Sequence, residues 1–264
     1  MGRRYGQHFL TDQNVVDSIM EAAGLRPGDA VLEVGPGEGV LTGRLIQAGA
    51  RLSVVEVDGA LAEALEARWG GQPGFRVIHG DILKQPLDPQ FLFGEPVKYS
   101  VVANLPYYLT TPLLFRIVRV REHLERLILM VQKEVGVRMA AGPSRGKEYG
   151  ALSIAAGHAF ELEVVRRVPP SAFRPPPRVD SVVVGLTPRA PSLKPEQEAA
   201  FMEHVKMLFT RRRKRMASGL NEHRERMGEA AWASLQERLG NSRAEEFTPA
   251  EHLEIFRMIH CLDA

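Results

Sequence analysis

The sequence predicts an α/β fold, a mostly parallel central sheet with helices on both faces, followed by a small all-helical C-terminal domain. Strand-like apolar runs alternate with helical patterns through the first half of the chain, as parallel strands joined by crossover helices require. A glycine-rich turn, Gly35-Pro36-Gly37-Glu38-Gly39, stands directly after the first of these strands. From Pro191 onward strand signals vanish and three helical segments follow. A boundary near residue 190 therefore divides the chain into domains over 1–190 and 191–264, with no internal repeat and no low-complexity stretch.

The strands are expected at Val31 to Val34, Leu52 to Glu56, Phe75 to His79, Tyr99 to Ala103 and Leu127 to Gln132. Between them Val40, Leu41, Leu45 and Ile46, then Leu61, Leu65 and Trp69, recur at three- and four-residue spacing and would each bury one helix face. Gly49 and Gly70 are expected to close those helices in the left-handed conformation. Thr111 before Pro112 reads as a cap and first turn, opening a helix that carries Leu114, Ile117 and Val118. After Gly142-Pro143 the pattern loosens, and a late strand over Val179 to Leu186 follows a proline-rich turn. The three C-terminal helical segments are marked by Phe201, Val205, Leu208 and Phe209, by Trp232, Leu235 and Leu239, and by Leu253, Phe256 and Ile259. The last opens on a capping box, Thr248-Pro249-Ala250-Glu251.

Composition excludes several classes. Hydrophobic content of 44% and charged content of 25% are those of a folded globular chain rather than a disordered or fibrous one. No apolar run approaches the roughly 18 to 20 residues that span a bilayer, and the N-terminal residues lead into polar sequence without an apolar signal core, so an intracellular, cytoplasmic protein is expected. The single cysteine, Cys261, excludes an internal disulfide and lies in an apolar helical pattern where a buried thiol is expected. Eight histidines are scattered without paired ligand spacing, so no metal is expected. A net charge of +2 says little about partners. Its distribution says more: Arg211, Arg212, Arg213, Lys214 and Arg215 are consecutive, and Arg3, Arg4 and His8 form a smaller basic group.

Glycines after a first strand let backbone approach a ligand, because they lack a Cβ and take positive φ. Glu56, ending the second strand, is placed to accept both hydroxyls of a ribose above that turn, and Asp58 is the better candidate to cap the following helix. Asp81, at the end of the third strand, is placed to accept from an adenine amine. Ligand-grade groups at three successive strand ends fit the rule that open parallel sheets bind ligands there. Nicotinamide dinucleotides and S-adenosylmethionine (SAM) share an adenosine, so these positions serve either. The Gly-x-Gly-x-Gly spacing differs from the Gly-x-Gly-x-x-Gly that seats a pyrophosphate on a helix N-terminus, which favours SAM.

Asn104-Leu105-Pro106-Tyr107 follows the fourth strand. An aromatic amine is a poor nucleophile because its lone pair is delocalised into the ring. Two acceptors, the Asn104 side-chain oxygen and a backbone carbonyl at Leu105 or Pro106, would each take an N–H and aim the lone pair at a methyl group. Pro106 stiffens the loop, and Tyr107 offers a ring on which an extruded base stacks.

Taken together, these residues resemble the ribosomal RNA adenine dimethyltransferases of the KsgA type. Gly6-Gln7-His8-Phe9-Leu10, Glu33-Val34-Gly35-Pro36-Gly37 and Asn104-Leu105-Pro106-Tyr107 look like the family's N-terminal, cofactor and catalytic motifs. Val131-Gln132-Lys133-Glu134, Tyr149-Gly150-Ala151-Leu152-Ser153, Pro169-Pro170-Ser171-Ala172-Phe173 and Pro175-Pro176-Pro177-Arg178-Val179-Asp180-Ser181 also match. The resemblance implies a Rossmann-like class I SAM-dependent methyltransferase over 1–190 and a helical RNA-binding domain over 191–264. It implies SAM contacts from His8, Leu10, Gly35, Gly37, Glu56, Asp81, Ile82 and Asn104, and base stacking by Tyr107 and Phe173. His8 stands where the family often has Asn, which places a titratable ring there. The implied substrate is two adjacent adenosines near the 3′ end of small-subunit (16S) rRNA, each methylated twice during ribosome biogenesis, on the rRNA or a pre-30S particle, by a monomer.

The basic run is expected to continue the helix of Leu208 and Phe209, encircling it at about 100° per residue and offering phosphate contacts. Three alternatives share parts of this pattern: a large-subunit (23S) rRNA adenine methyltransferase of the macrolide-resistance type, a non-catalytic RNA-binding assembly factor on the same fold, and a nicotinamide dehydrogenase. The wording of the catalytic loop disfavours the first, the intact Asn104 and cofactor carboxylates the second, and the glycine spacing the third.

Overall fold

A computed structural model of the chain describes residues 8–106 and 108–262. Arg3, Arg4, Gly6, Gln7 and Tyr107 of the expected site and motifs lie outside them. In chain order the elements are β1 (Phe9–Leu10), α1 (Gln13–Ala23), β2 (Ala30–Val34), α2 (Val40–Gln47), β3 (Arg51–Glu56), α3 (Gly59–Trp69) and β4 (Phe75–His79). There follow α4 (Pro89–Phe93), β5 (Tyr99–Asn104), α5 (Thr110–Val118), β6 (Leu124–Gln132), α6 (Lys133–Met139), α7 (Ala151–Ala159) and β7 (Phe160–Val168). The chain continues through β8 (Phe173–Arg174), β9 (Ser181–Pro188), α8 (Pro195–Thr210), α9 (Met216–Gly219), α10 (Arg224–Met227), α11 (Glu229–Leu239) and α12 (Pro249–His260).

Seven strands form one sheet in the order β4-β3-β2-β5-β6-β9-β7. The first five are mutually parallel, and β9 and β7 pair antiparallel at one side. The buried strands are near-continuous apolar runs, as a sheet covered on both faces demands: every residue of β2 is buried. In this sheet's core Val15, Val16 and Ile19 of α1 pack with Val31, Leu52 and Val54. Strand β7 is not among the expected strands. Its sequence, Phe-Glu-Leu-Glu-Val-Val-Arg-Arg-Val, carries four charges and a register shift between Val164 and Arg166. Charges and irregular pairing are how an edge strand avoids templating further strands, and they also mask its apolar signal.

The chain divides into two compact units, one running through Gly136 and resuming over Phe160–Ala190, the other made of Val137–Ala159 and Pro191–Ala264. One break falls at 190, and 137–159 groups with 191–264 rather than with the first unit. Local bonds explain why. His158 Nε2 of α7 meets Glu198 Oε1 of α8 at 2.7 Å, with both side chains buried. Tyr149 donates its hydroxyl to the Phe247 carbonyl at 2.6 Å. A Cβ on Gly157 would lie 3.0 Å from Pro249 Cγ, so α7 and the first turn of α12 touch closely.

Four smaller expectations are corrected. Gly49 is left-handed at φ 78°, but Gly70 is right-handed at φ −57°. What demands glycine there is space, since a Cβ would sit 2.6 Å from the Glu66 carbonyl oxygen. Helix α5 is capped by Leu109, not Thr111, because Leu109 is already right-handed at φ −87° and ψ −26°, with its N–H donating to the Pro106 carbonyl at 2.9 Å. Pro112 is then tolerated in the first turn, where N–H groups have no helical acceptor. Cys261 is exposed, not buried. It ends α12 in the left-handed conformation at φ 51°, which turns its side chain off the helix's apolar face. Lastly, α8 stops at Thr210, and Arg211 to Lys214 form a turn rather than a ring of charge around a helix. Five adjacent like charges disfavour one more helical turn, and the turn places Arg211, Arg213, Lys214 and Arg215 in solvent.

Candidate cofactor and active site

The turn after β2 is held from two sides. Gly35 N–H donates to the Val55 carbonyl at 3.0 Å, and Gly35, Gly37 and Gly39 have φ of 64°, 59° and 82°, values that side chains with a Cβ rarely adopt. A Cβ on Gly37 would also lie 3.0 Å from Phe9 Cε1. Glu56 is 2% exposed at the end of β3. Its Oε2 accepts from Gly37 N–H at 3.2 Å and its Oε1 from Asp58 N–H at 2.9 Å. The carboxylate expected to meet a ribose therefore also braces the glycine turn. Asp58 caps α3 as expected, accepting from Ala60 and Leu61 N–H at 3.0 and 3.3 Å.

Asp81 is half-buried after β4 and accepts from Leu83 N–H at 2.9 Å, an Asx turn. The neighbouring Ile82 is 4% exposed, and Arg116 of α5 donates to its carbonyl and, at 2.7 Å, to that of Gln85. These bonds fix the loop so that Asp81 faces the same space as the glycine turn.

Asn104 is the last residue of β5. Its Nδ2 donates to the His8 carbonyl at 3.3 Å, which commits the amide nitrogen to backbone and leaves the amide oxygen as the acceptor. Leu105 N–H donates to the Met130 carbonyl of β6 at 3.1 Å, so the loop is anchored to the sheet. His8 donates from Nδ1 to the Pro175 carbonyl at 2.7 Å, since a carbonyl oxygen can only accept. Leu10 pairs with Phe173 across the β1–β8 ribbon, which brings Phe173, 3% exposed, to the same place.

One cavity of about 260 Å³ collects them: His8, Leu10, Gly35, Gly37, Glu56, Asp81, Ile82, Asn104, Leu105, Pro106 and Phe173 all line it. Tyr107 lies outside the described residues, and the basic run belongs to the second unit. Further residues beyond the expected site residues also line it, among them Phe9, Tyr108 and Glu33. Glu33 is 1% exposed in β2 and accepts from the Thr42 hydroxyl at 2.7 Å. Burial pushes its carboxyl up to about 8, with the Glu56 charge adding to the rise and the Thr42 bond opposing it. The signal was a lone acid inside an otherwise apolar strand, Val-Leu-Glu-Val.

The donor set fits SAM. A glycine cradle that a Cβ would fill, a buried carboxylate at the adjacent strand end and a carboxylate at the next suit an adenosine, while Asn104 marks the far end. Among the described residues no group of three His, Cys, Asp or Glu is placed to hold a metal ion, and no helix is long and apolar enough to cross a membrane.

Fold and site together define a class I SAM-dependent methyltransferase. The sequence model described as Ribosomal RNA adenine dimethylase matches residues 1–260. The chain is 42% identical over 254 residues to a Ribosomal RNA small subunit methyltransferase A of Synechococcus sp. (strain JA-3-3Ab), covering 92% of this chain and 88% of that one. It is 44% identical over 220 residues to the protein of the same description from Syntrophotalea carbinolica, covering 83% and 81%. Among solved structures, a dimethyladenosine transferase from Plasmodium falciparum shares the fold at a TM-score of 0.74 and 24% identity, covering 94% of this chain and 96% of that one. The 23S rRNA methyltransferase ErmE matches at a TM-score of 0.66 and 28% identity, covering 96% and 99%. The chain belongs to the ribosomal RNA adenine dimethylase family.

Proposed function

We propose that this protein dimethylates N6 of two adjacent adenosines near the 3′ end of small-subunit (16S) rRNA, using SAM, on the rRNA or a pre-30S particle during ribosome biogenesis. It acts as a cytoplasmic monomer in this reading. The higher identity to small-subunit enzymes than to ErmE favours this address over the large subunit.

The observation that carries the chemistry is the bond from Asn104 Nδ2 to the His8 carbonyl. With the amide nitrogen held, the oxygen is oriented to accept one N–H of the target amine. A carbonyl of the same loop accepts the other; the Pro106 carbonyl already accepts from Leu109 N–H, which favours Leu105 for this role. Two acceptors draw the nitrogen toward a tetrahedral shape and direct its lone pair. SAM supplies the methyl group from a sulfonium whose charge is lost on transfer. Positioning rather than a strong base is then what the protein must provide, and Tyr107 and Phe173 hold the extruded base by stacking. His8, Leu10, Gly35, Gly37, Glu56, Asp81 and Ile82 hold the cofactor.

In the second unit Arg211, Arg213, Lys214 and Arg215 are exposed and serve phosphate contacts. Arg212 is different. It pairs with Glu245 and donates to the carbonyls of Gly146 and Lys147, so it is fixed within the fold.

Asn104→Ala tests the reading. SAM affinity by calorimetry is expected within about twofold of wild type, while methyl transfer to small subunits lacking the modification falls by about a thousandfold, the size of a lost positioning effect. Wild-type transfer in this variant would remove the mechanism.

A further inference from the structure

The mouth of the cavity carries an aromatic residue that the reaction as described does not use. Tyr108 lines the cavity and is 61% exposed, the highest value among the exposed large hydrophobic side chains of the described residues. Leu105 and Leu109, which flank it, are 2% and 6% exposed, whereas Tyr108 stands out to solvent between them. The loop is pinned at both ends, by Leu105 N–H on the Met130 carbonyl at 3.1 Å and by Leu109 N–H on the Pro106 carbonyl at 2.9 Å. A ring on a pinned loop has already lost the backbone freedom that binding would otherwise remove.

We propose that Tyr108 is a stacking platform for the nucleobase next to the target adenine, and so helps to determine RNA specificity. The inference rests on the reading given above. When a base leaves its stack to enter a pocket, its neighbour loses one stacking face. An exposed aromatic ring at the pocket mouth replaces that face, and does so for any base, since every base has a π-face. Phe173, at 3% exposure, is too enclosed for this work. Tyr108 would therefore act on the flanking nucleotide, while the enclosed Phe173 acts on the target.

The test compares Tyr108→Ala and Tyr108→Phe with wild type on small ribosomal subunits lacking the modification, measuring KM for the subunit, kcat, and SAM affinity by calorimetry. Tyr108→Ala is expected to raise KM about tenfold, within the range that base stacking supplies, with SAM affinity and kcat little changed. Tyr108→Phe keeps the ring and is expected to restore KM to within about twofold of wild type. A wild-type KM in the alanine variant overturns the inference alone. So does a phenylalanine variant as impaired as alanine, which would assign the effect to the hydroxyl. A parallel fall in SAM affinity would make Tyr108 part of the cofactor site instead. Wild-type enzyme that transfers no methyl group to these subunits would overturn the functional reading as well, an outcome separate from the other three.

Discussion

Glu33 departs far from the ordinary chemistry of a carboxyl group. It is enclosed in β2 beside the glycine turn, and burial keeps its proton on up to about 8, against an ordinary value of 4.5. A carboxyl whose folded-state pKa is raised contributes stability that is fully present below 4.5 and is lost as pH rises through about 8. Glu33→Gln, which keeps the shape without the charge, should therefore be less sensitive over that window. Urea denaturation of both proteins between pH 5 and 9 should show the variant gaining on wild type as pH rises; a constant difference would mean that Glu33 is ionised in the fold. At this scale the sequence was informative wherever a residue type had one good reason to stand at a strand end, as with Glu56, Asp81 and Asn104. Their second partners could not be read, because the Gly37 N–H on Glu56 and the His8 carbonyl on Asn104 are supplied from 19 and 96 residues away.

Among the elements, α7 shows how a local pattern and a long-range contact diverge. Its residues are so uniformly apolar and small that no single face stands out: Leu152, Ile154, Ala155, Ala156 and Ala159 are all buried, as is Ser153. A helix buried on all sides gives little amphipathic signal. What ties α7 to its unit is polar, the bond between His158 and Glu198. Breaking a buried pair by removing one partner typically costs about 3 kcal/mol or more. His158→Ala should lose about that much stability in urea denaturation, while His158→Phe, of similar volume but with no N–H to offer Glu198 Oε1, should recover little. If His158→Ala melts like wild type, the pair is not what fastens this helix. Strand β7 is hidden in the sequence for the opposite reason: its edge position is protected by charges that break the apolar run.

At the scale of the molecule, the two units should respond oppositely to acid. The first contains Glu33, whose contribution grows as pH falls. The second contains a histidine cluster in which His204 lies with His223 at 6.4 Å and Phe256 at 5.6 Å between ring centres. Burial pushes His204 down to about 3, with the charges of His252, His223 and His260 adding to the fall. Burial likewise pushes His252 down to about 4, against the bond to the Ala244 carbonyl and the Glu251 charge. His223 and His260 are lowered by burial and then by Arg226, with Glu222 opposing at His223. A histidine lowered in the fold contributes stability that is full above its unfolded value of about 6.5 and is lost as pH falls toward the folded value. Thermal melts from pH 7.5 to 4.5, followed by hydrogen exchange, should show amides of α8 and α12 losing protection before those of β2 and β3. The order of layers and the cofactor end of the sheet were legible from periodicity and turns, because a parallel sheet repeats its pattern in every crossover. The histidine cluster was not, because it gathers residues from α8, the segment before α10, and α12.

The return of 137–159 to the second unit means that the polypeptide passes from one unit to the other at 136/137, at 159/160 and at 190/191. The helical part is thus not a tail that can be clipped off or grafted as a cassette. A fragment ending at 190 would keep α7 but lose α8 and α12, stranding a bare apolar rod in mid-chain, and a hybrid enzyme with a borrowed helical part would have to exchange two stretches at once. The same arrangement ties substitutions in one stretch to compensating changes in the other, so the two should diversify in concert.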